Sequence, residues 1–90
     1  MERKEVIEGF VIAVLDRGFV YVGHAKIEGG FCVMSDARNI RYWGTERGLG
    51  QLALEGPTSK TKIDLVGNIR IPMRTVNHVI DTGENKWKAK

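Results

Sequence analysis

Short alternating stretches of apolar and polar residues dominate this chain, and glycine-rich turns separate them. Val6–Leu15 is a β-branched apolar run that stops at Asp16-Arg17-Gly18, a short hairpin turn. Phe19–Ile27 resumes the strand pattern with period two. Phe19, Tyr21, Gly23, Ala25 and Ile27 fall on one face; Val20, Val22, His24 and Lys26 take the other, which turns polar toward its end. Glu28-Gly29-Gly30 makes a second turn and Phe31–Met34 a third strand, completing an antiparallel meander. A loop at Ser35-Asp36-Ala37 leads to a fourth strand, Arg38–Trp43. Ile63–Val66, Ile69–Ile71 and Val76–Ile80 are short extended segments, and Pro72 confines its strand to an edge or a bulge.

Only Leu49–Glu55 follows a helical period, with Leu49, Leu52 and Ala53 at i, i+3 and i+4. Gly56 stands where a C′ glycine ends a helix, and Pro57 blocks its continuation. Two turns of helix do not persist alone, so packing must hold this one. The pattern predicts a mainly β fold. Five or six strands and one short helix would form a small, strongly bent antiparallel sheet or partly open barrel of the SH3/Sm-like kind. Gly9, Gly18, Gly23, Gly29 and Gly30 favour the bending. The expected organisation is a single β-rich domain over 1–82 and a polar tail over 83–90, from which Trp87 could dock.

Composition narrows the function classes. Ninety residues suit one domain with a small core, for which self-association is an easy way to bury more surface. The lone cysteine, Cys32, excludes an internal disulfide and lies inside a strand pattern, where it reads as a small buried hydrophobe. Apolar runs are too short to span a bilayer, and the acidic start is no signal peptide, so a soluble intracellular protein without membrane contact is expected. His24 and His78 lack motif-spaced partners, and His78 reads as a core or interface residue. Ser35 has no nucleophile-elbow context, and the glycines of 44–50 lack the Lys-Ser/Thr pair of a phosphate loop. Asp16, Asp36, Asp64 and Asp81 read as turn residues. Phe10, Phe19 and Phe31 read as core. No enzyme, metal or cofactor is expected.

The net charge is +3, and the basic excess is central: 38–74 carries seven cations, five of them arginine, against three acids. Within it, Arg38-Asn39-Ile40-Arg41-Tyr42-Trp43 as a strand puts Asn39, Arg41 and Trp43 on one face, with Arg38, Ile40 and Tyr42 on the other. An amide, a guanidinium and an indole in line can hold a planar base and its phosphate. Arg47 follows beside the helix start, and Arg70 and Arg74 could complete the pocket from a neighbouring strand. The candidate ligand-binding set is therefore Arg38, Asn39, Arg41, Trp43, Arg47, Arg70 and Arg74. In the structural alternative, Trp43 plugs the barrel end while the arginines pair with Glu46, Glu55 or Asp64.

The stretch Asp36-Ala37-Arg38-Asn39-Ile40-Arg41-Tyr42-Trp43, followed by Leu49-Gly50-Gln51-Leu52-Ala53-Leu54-Glu55-Gly56, resembles a family of small phage-encoded proteins of unknown function. The similarity runs over roughly residues 20–80. By analogy with phage proteins of this size it implies a non-catalytic homo-oligomer in the cytoplasm of a bacterial host. That oligomer would sequester a small nucleotide signal of host immunity, for instance a cyclic one, in a pocket between subunits. A small barrel binding single-stranded nucleic acid, and a structural or host-factor-binding phage protein, are the alternatives.

Overall fold

A computed structural model describes residues 8–88. Five strands form one antiparallel sheet: β1 (Glu8–Leu15), β2 (Val20–Glu28), β3 (Phe31–Tyr42), β4 (Lys62–Pro72) and β5 (Val76–Asp81), in the order β4-β3-β2-β1-β5. Helix α1 (Leu49–Glu55) lies between β3 and β4, and a single turn, α2 (Asn85–Lys88), follows β5. The sheet is mainly β and antiparallel as the pattern predicts, and β4 and β5 remain unpaired edges, so the barrel stays open.

Two expected pairs of strands are each continuous. Phe31–Met34 and Arg38–Trp43 join into β3 because Ser35–Ala37 is a bulge, not a loop. Asp36 takes φ 51°, and the register against β2 and β4 shifts there. Ile63–Val66 and Ile69–Ile71 likewise join into β4, with Gly67 at φ 86° as the irregular point. A bulge inserts one residue, so apolar positions swap faces across it. This explains why Met34 and Ala37, three apart, serve the same core cluster. A period-two reading, lacking the extra residue, places a break there. The expectation at Val6 and Ile7 lies outside the described residues.

The sheet carries apolar residues on both faces. On one, Val11, Ala13, Ala25, Cys32, Met34, Ala37 and Ile71 are buried, with Val76 and Val79 of β5 closing over them through the curl of the sheet. On the other, Ile12, Val20, Val22 and Ile40 are covered by Leu52 and Ala53 of α1 and by Trp87 of α2. Consecutive residues of β1 thus serve opposite clusters, which is why its whole centre is apolar. Burial pushes the Cys32 thiol pKa up, which keeps it protonated and unreactive.

Within the expected tail, Trp87 docks onto the sheet. Trp87, at 1% exposed, is the largest fully buried side chain among the described residues. Its indole Nε1 donates to the Thr82 hydroxyl at 3.1 Å, and that hydroxyl donates to the Ala53 carbonyl at 2.6 Å, tying α1, β5 and α2 together. Gly56, at φ 83°, ends α1 by donating its N–H to Leu52 O. Other expectations fail. Phe19 and Phe31 are exposed, because each stands at the start of a strand beside a turn where no element covers it. His78 is not core: it is exposed on the edge strand β5, with its ring Nδ1 2.7 Å from Asn77 Oδ1. Asp64 sits inside β4 rather than at a turn.

Candidate ligand-binding site

β3 ends at Tyr42, paired with Lys62 where β4 begins, so the chain between them leaves the sheet at one corner. Two loops, 43–48 and 56–61, meet there and lock by hydroxyl contacts. Thr61 Oγ1 donates to Trp43 O at 2.7 Å, and Thr58 Oγ1 donates to Gly44 O at 2.8 Å. Thr61 Oγ1 also accepts from Thr58 N at 2.9 Å. Gly44 is required at this junction. It takes φ 65°, and a Cβ there would lie 2.6 Å from the Lys60 carbonyl carbon.

At this corner Tyr42 and Trp43 are 58% and 41% exposed, so neither ring plugs the sheet. Two open grooves flank them. One, of about 350 Å³, is walled by Arg41, Tyr42, Trp43, Gly44 and Thr45. The other, of about 310 Å³, runs from Tyr42, Gly44 and Thr45 past Glu46 and Gln51 to Thr58, Ser59 and Lys60. Both are at the small end of the roughly 300–1,000 Å³ typical of ligand sites.

The predicted residues separate into three groups. Arg41 and Trp43 stand together at the corner. Arg41 is pinned by Asp64, with Nε donating to Oδ2 at 2.8 Å and Nη2 to Oδ1 at 3.3 Å. This hydrogen bond and the opposite charge raise the pKa of Arg41 and hold the Asp64 carboxyl below its ordinary range. Of the five guanidinium N–H donors, two are used and three stay free for a ligand. Arg47 is near by in sequence but its Nη2 donates to Glu55 Oε2 on α1. The pairing with Asp64 and Glu55 is the structural alternative of the sequence reading, and both pairs are solvent-exposed.

Arg38 and Asn39 turn to structure instead. Arg38 Nη1 donates to the Trp87 carbonyl at 3.3 Å, and Asn39 Nδ2 donates to Val20 O at 3.2 Å. Arg70 and Arg74 do not converge on the corner. Arg70 lies opposite Val33, seven positions along β4 from Ile63 and so ~20 Å along the strand. Arg74 lies beyond it in the 3-10 turn Met73–Thr75. Sequence reasoning missed Tyr42, Thr58, Ser59, Lys60 and Thr61. For the last four the only signal is a polar, hydroxyl-rich loop whose nearness to Trp43 depends on β3–β4 pairing, whereas Tyr42 was visible in the strand pattern beside Trp43.

A further groove, of about 480 Å³, is lined by Glu8, Gly9, His24, Ala25, Lys26, Val33 and Ser35. Its basic side chains already face acids: His24 Nε2 is 3.1 Å from Glu84 and Lys26 3.7 Å from Glu28. It is poorly suited to an anion. Among the described residues no three His, Cys, Asp or Glu side chains are grouped to hold a metal ion. Among them, too, no helix is long and apolar enough to cross a membrane.

Over residues 8–89 the chain matches the family model of a domain of unknown function, DUF6948. No curated protein matches it.

Proposed function

The chain belongs to the DUF6948 family, a domain of unknown function, and we propose from its own geometry that it binds a small phosphate-bearing nucleotide without turning it over. The observation that carries this reading is the corner at Tyr42 and Trp43, two exposed rings set beside the free donors of Arg41 and the ammonium of Lys60. A base stacks on a ring face for about 1–3 kcal/mol. The phosphate takes the Arg41 donors or Lys60, and the hydroxyls of Thr45 and Ser59 line the same grooves for ribose. Asp64 supports the site by fixing the guanidinium in one orientation, which lowers the entropy lost on binding. With the resemblance to small phage proteins, the ligand is read as a signal of host immunity that the protein sequesters.

Isothermal titration against cyclic di- and trinucleotides, cyclic ADP-ribose isomers and mononucleotides tests this. At least one should give saturable heat that Trp43→Ala removes; silence from the whole panel overturns the proposal. The second reading is a single-stranded nucleic acid strand. It is favoured by the openness of both grooves and by Lys62 following Lys60 along the same edge. It predicts oligonucleotide binding that weakens steeply with salt, because each phosphate contacted releases counterion.

A further inference from the structure

The groove beside Tyr42 contains one group that a simple phosphate site would exclude. Glu46 is among its lining residues, together with Gln51, Ser59 and Lys60. Among the described residues its carboxylate has no hydrogen-bond or ion-pair partner, and the neighbouring Arg47 guanidinium is spent on Glu55. An unpaired carboxylate repels phosphate and accepts N–H donors, so this stretch of the groove suits a base edge.

Gln51 supplies the opposite polarity at the same place. Its Oε1 accepts from Glu46 N at 3.2 Å and from Arg47 N at 3.0 Å. With two backbone donors at that end, only the oxygen can stand there, which fixes the orientation of the amide. Both Nε2 hydrogens stay unused. No buried side-chain nitrogen among the described residues lacks a partner, so Nε2 is accessible on a residue that lines the groove. The loop carrying Glu46 is tied down as well, through Trp43 O and Gly44 O to the Thr61 and Thr58 hydroxyls. An acceptor and a donor are thereby held side by side.

We propose that this groove reads guanine, with the Watson–Crick edge of the base against Glu46 and Gln51. The inference rests on the nucleotide reading and names the base. Guanine presents N–H donors at N1 and at the exocyclic N2, beside the O6 acceptor. The two donors match the two oxygens of one carboxylate, and O6 accepts from Gln51 Nε2. Adenine presents the reverse: its N1 acceptor would face the carboxylate, and its N6 amine would face the Nε2 hydrogens. Each position then loses a hydrogen bond and gains a repulsion. No pyrimidine offers two adjacent donors beside an acceptor. Tyr42 walls the same groove and gives the base a ring to stack on, while Ser59 and Lys60 take ribose and phosphate.

Isothermal titration of the full chain with guanosine and adenosine monophosphates, cyclic di-GMP, cyclic di-AMP and cyclic ADP-ribose tests it. A guanine ligand should bind about 5- to 150-fold more tightly than its adenine counterpart. Glu46→Ala should erase that preference and leave the thermal melt unchanged, because the side chain is exposed and unpaired. Gln51→Glu keeps an acceptor for the Glu46 and Arg47 N–H groups but removes the Nε2 donors, so it should erase the preference too. Equal or tighter binding of an adenine ligand, or a preference that survives either substitution, overturns the inference and leaves the nucleotide reading in place. Silence from every ligand overturns both.

Discussion

Replacing Trp87 by alanine tests whether the last turn of the chain is part of the core. The indole is 1% exposed and fills the space between the sheet and α1, against the cluster that includes Ile12, Val22, Leu52 and Ala53. Truncating a buried tryptophan costs about 3–5 kcal/mol, from lost transfer energy and the cavity left behind. Losing the Nε1 bond to Thr82 adds only about 0.5–1.5 kcal/mol, because the Thr82 hydroxyl keeps its bond to Ala53 O. A domain of this length is stable by about 5–13 kcal/mol in all, so the change removes a quarter of that at the very least. At about 4–8 °C per kcal/mol the melting temperature falls by at least about 12 °C. Urea titration followed by far-UV circular dichroism measures it without relying on the missing fluorophore. A loss under about 1 kcal/mol with an unchanged denaturant slope would refute the placement of this indole in the core.

The other tryptophan should behave in the opposite way. Trp43→Ala is expected to cost under about 1.5 kcal/mol of stability, as the ring is already 41% exposed, while any nucleotide affinity drops about 5- to 150-fold. Gly56→Ala should destabilise by more than about 1 kcal/mol on chemical denaturation, since φ is 83° there and a Cβ would strike the Lys86 carbonyl. Asp64, whose folded-state pKa is lowered first by its hydrogen bond to Arg41, contributes stability that is in place above the ordinary value of 3.8. That contribution fades as the pH falls through the depressed value. Carboxyl-carbon NMR should titrate Asp64 below its ordinary value of 3.8, and Arg41→Ala should bring it back toward that value.

Much of the fold was legible in residue order because burial here is periodic. The meander of β1, β2 and β3 follows from alternating runs punctuated by Asp16-Arg17-Gly18 and Gly29-Gly30, and α1 from one i, i+3, i+4 set closed by Gly56. The pattern predicts a loop at Ser35–Ala37 and two separate segments on either side of Gly67, because a bulge and a break look alike without the partner strand. Phe19 and Phe31 show the matching limit: apolar character says that a residue can be buried, not that anything arrives to cover it. For the candidate site, the alternation of Asn39, Arg41 and Trp43 with Arg38, Ile40 and Tyr42 was readable, and the partner of each arginine was not. Asp64 reaches Arg41 across 23 positions of sequence and Trp87 reaches Arg38 across 49.

Residue order alone thus determined what is local: where the chain extends, where it turns, which short stretch coils, and that the middle third is rich in arginine beside an indole. Only the tertiary structure decided which of those cations keep donors free, that Arg70 and Arg74 stand away from Trp43, and that Trp87 seals the second face. The physical reason is that periodicity is set by bonds between neighbours. Pairing and exposure are set by strand register, and a single bulged residue at Asp36 or Val66 shifts that for everything downstream.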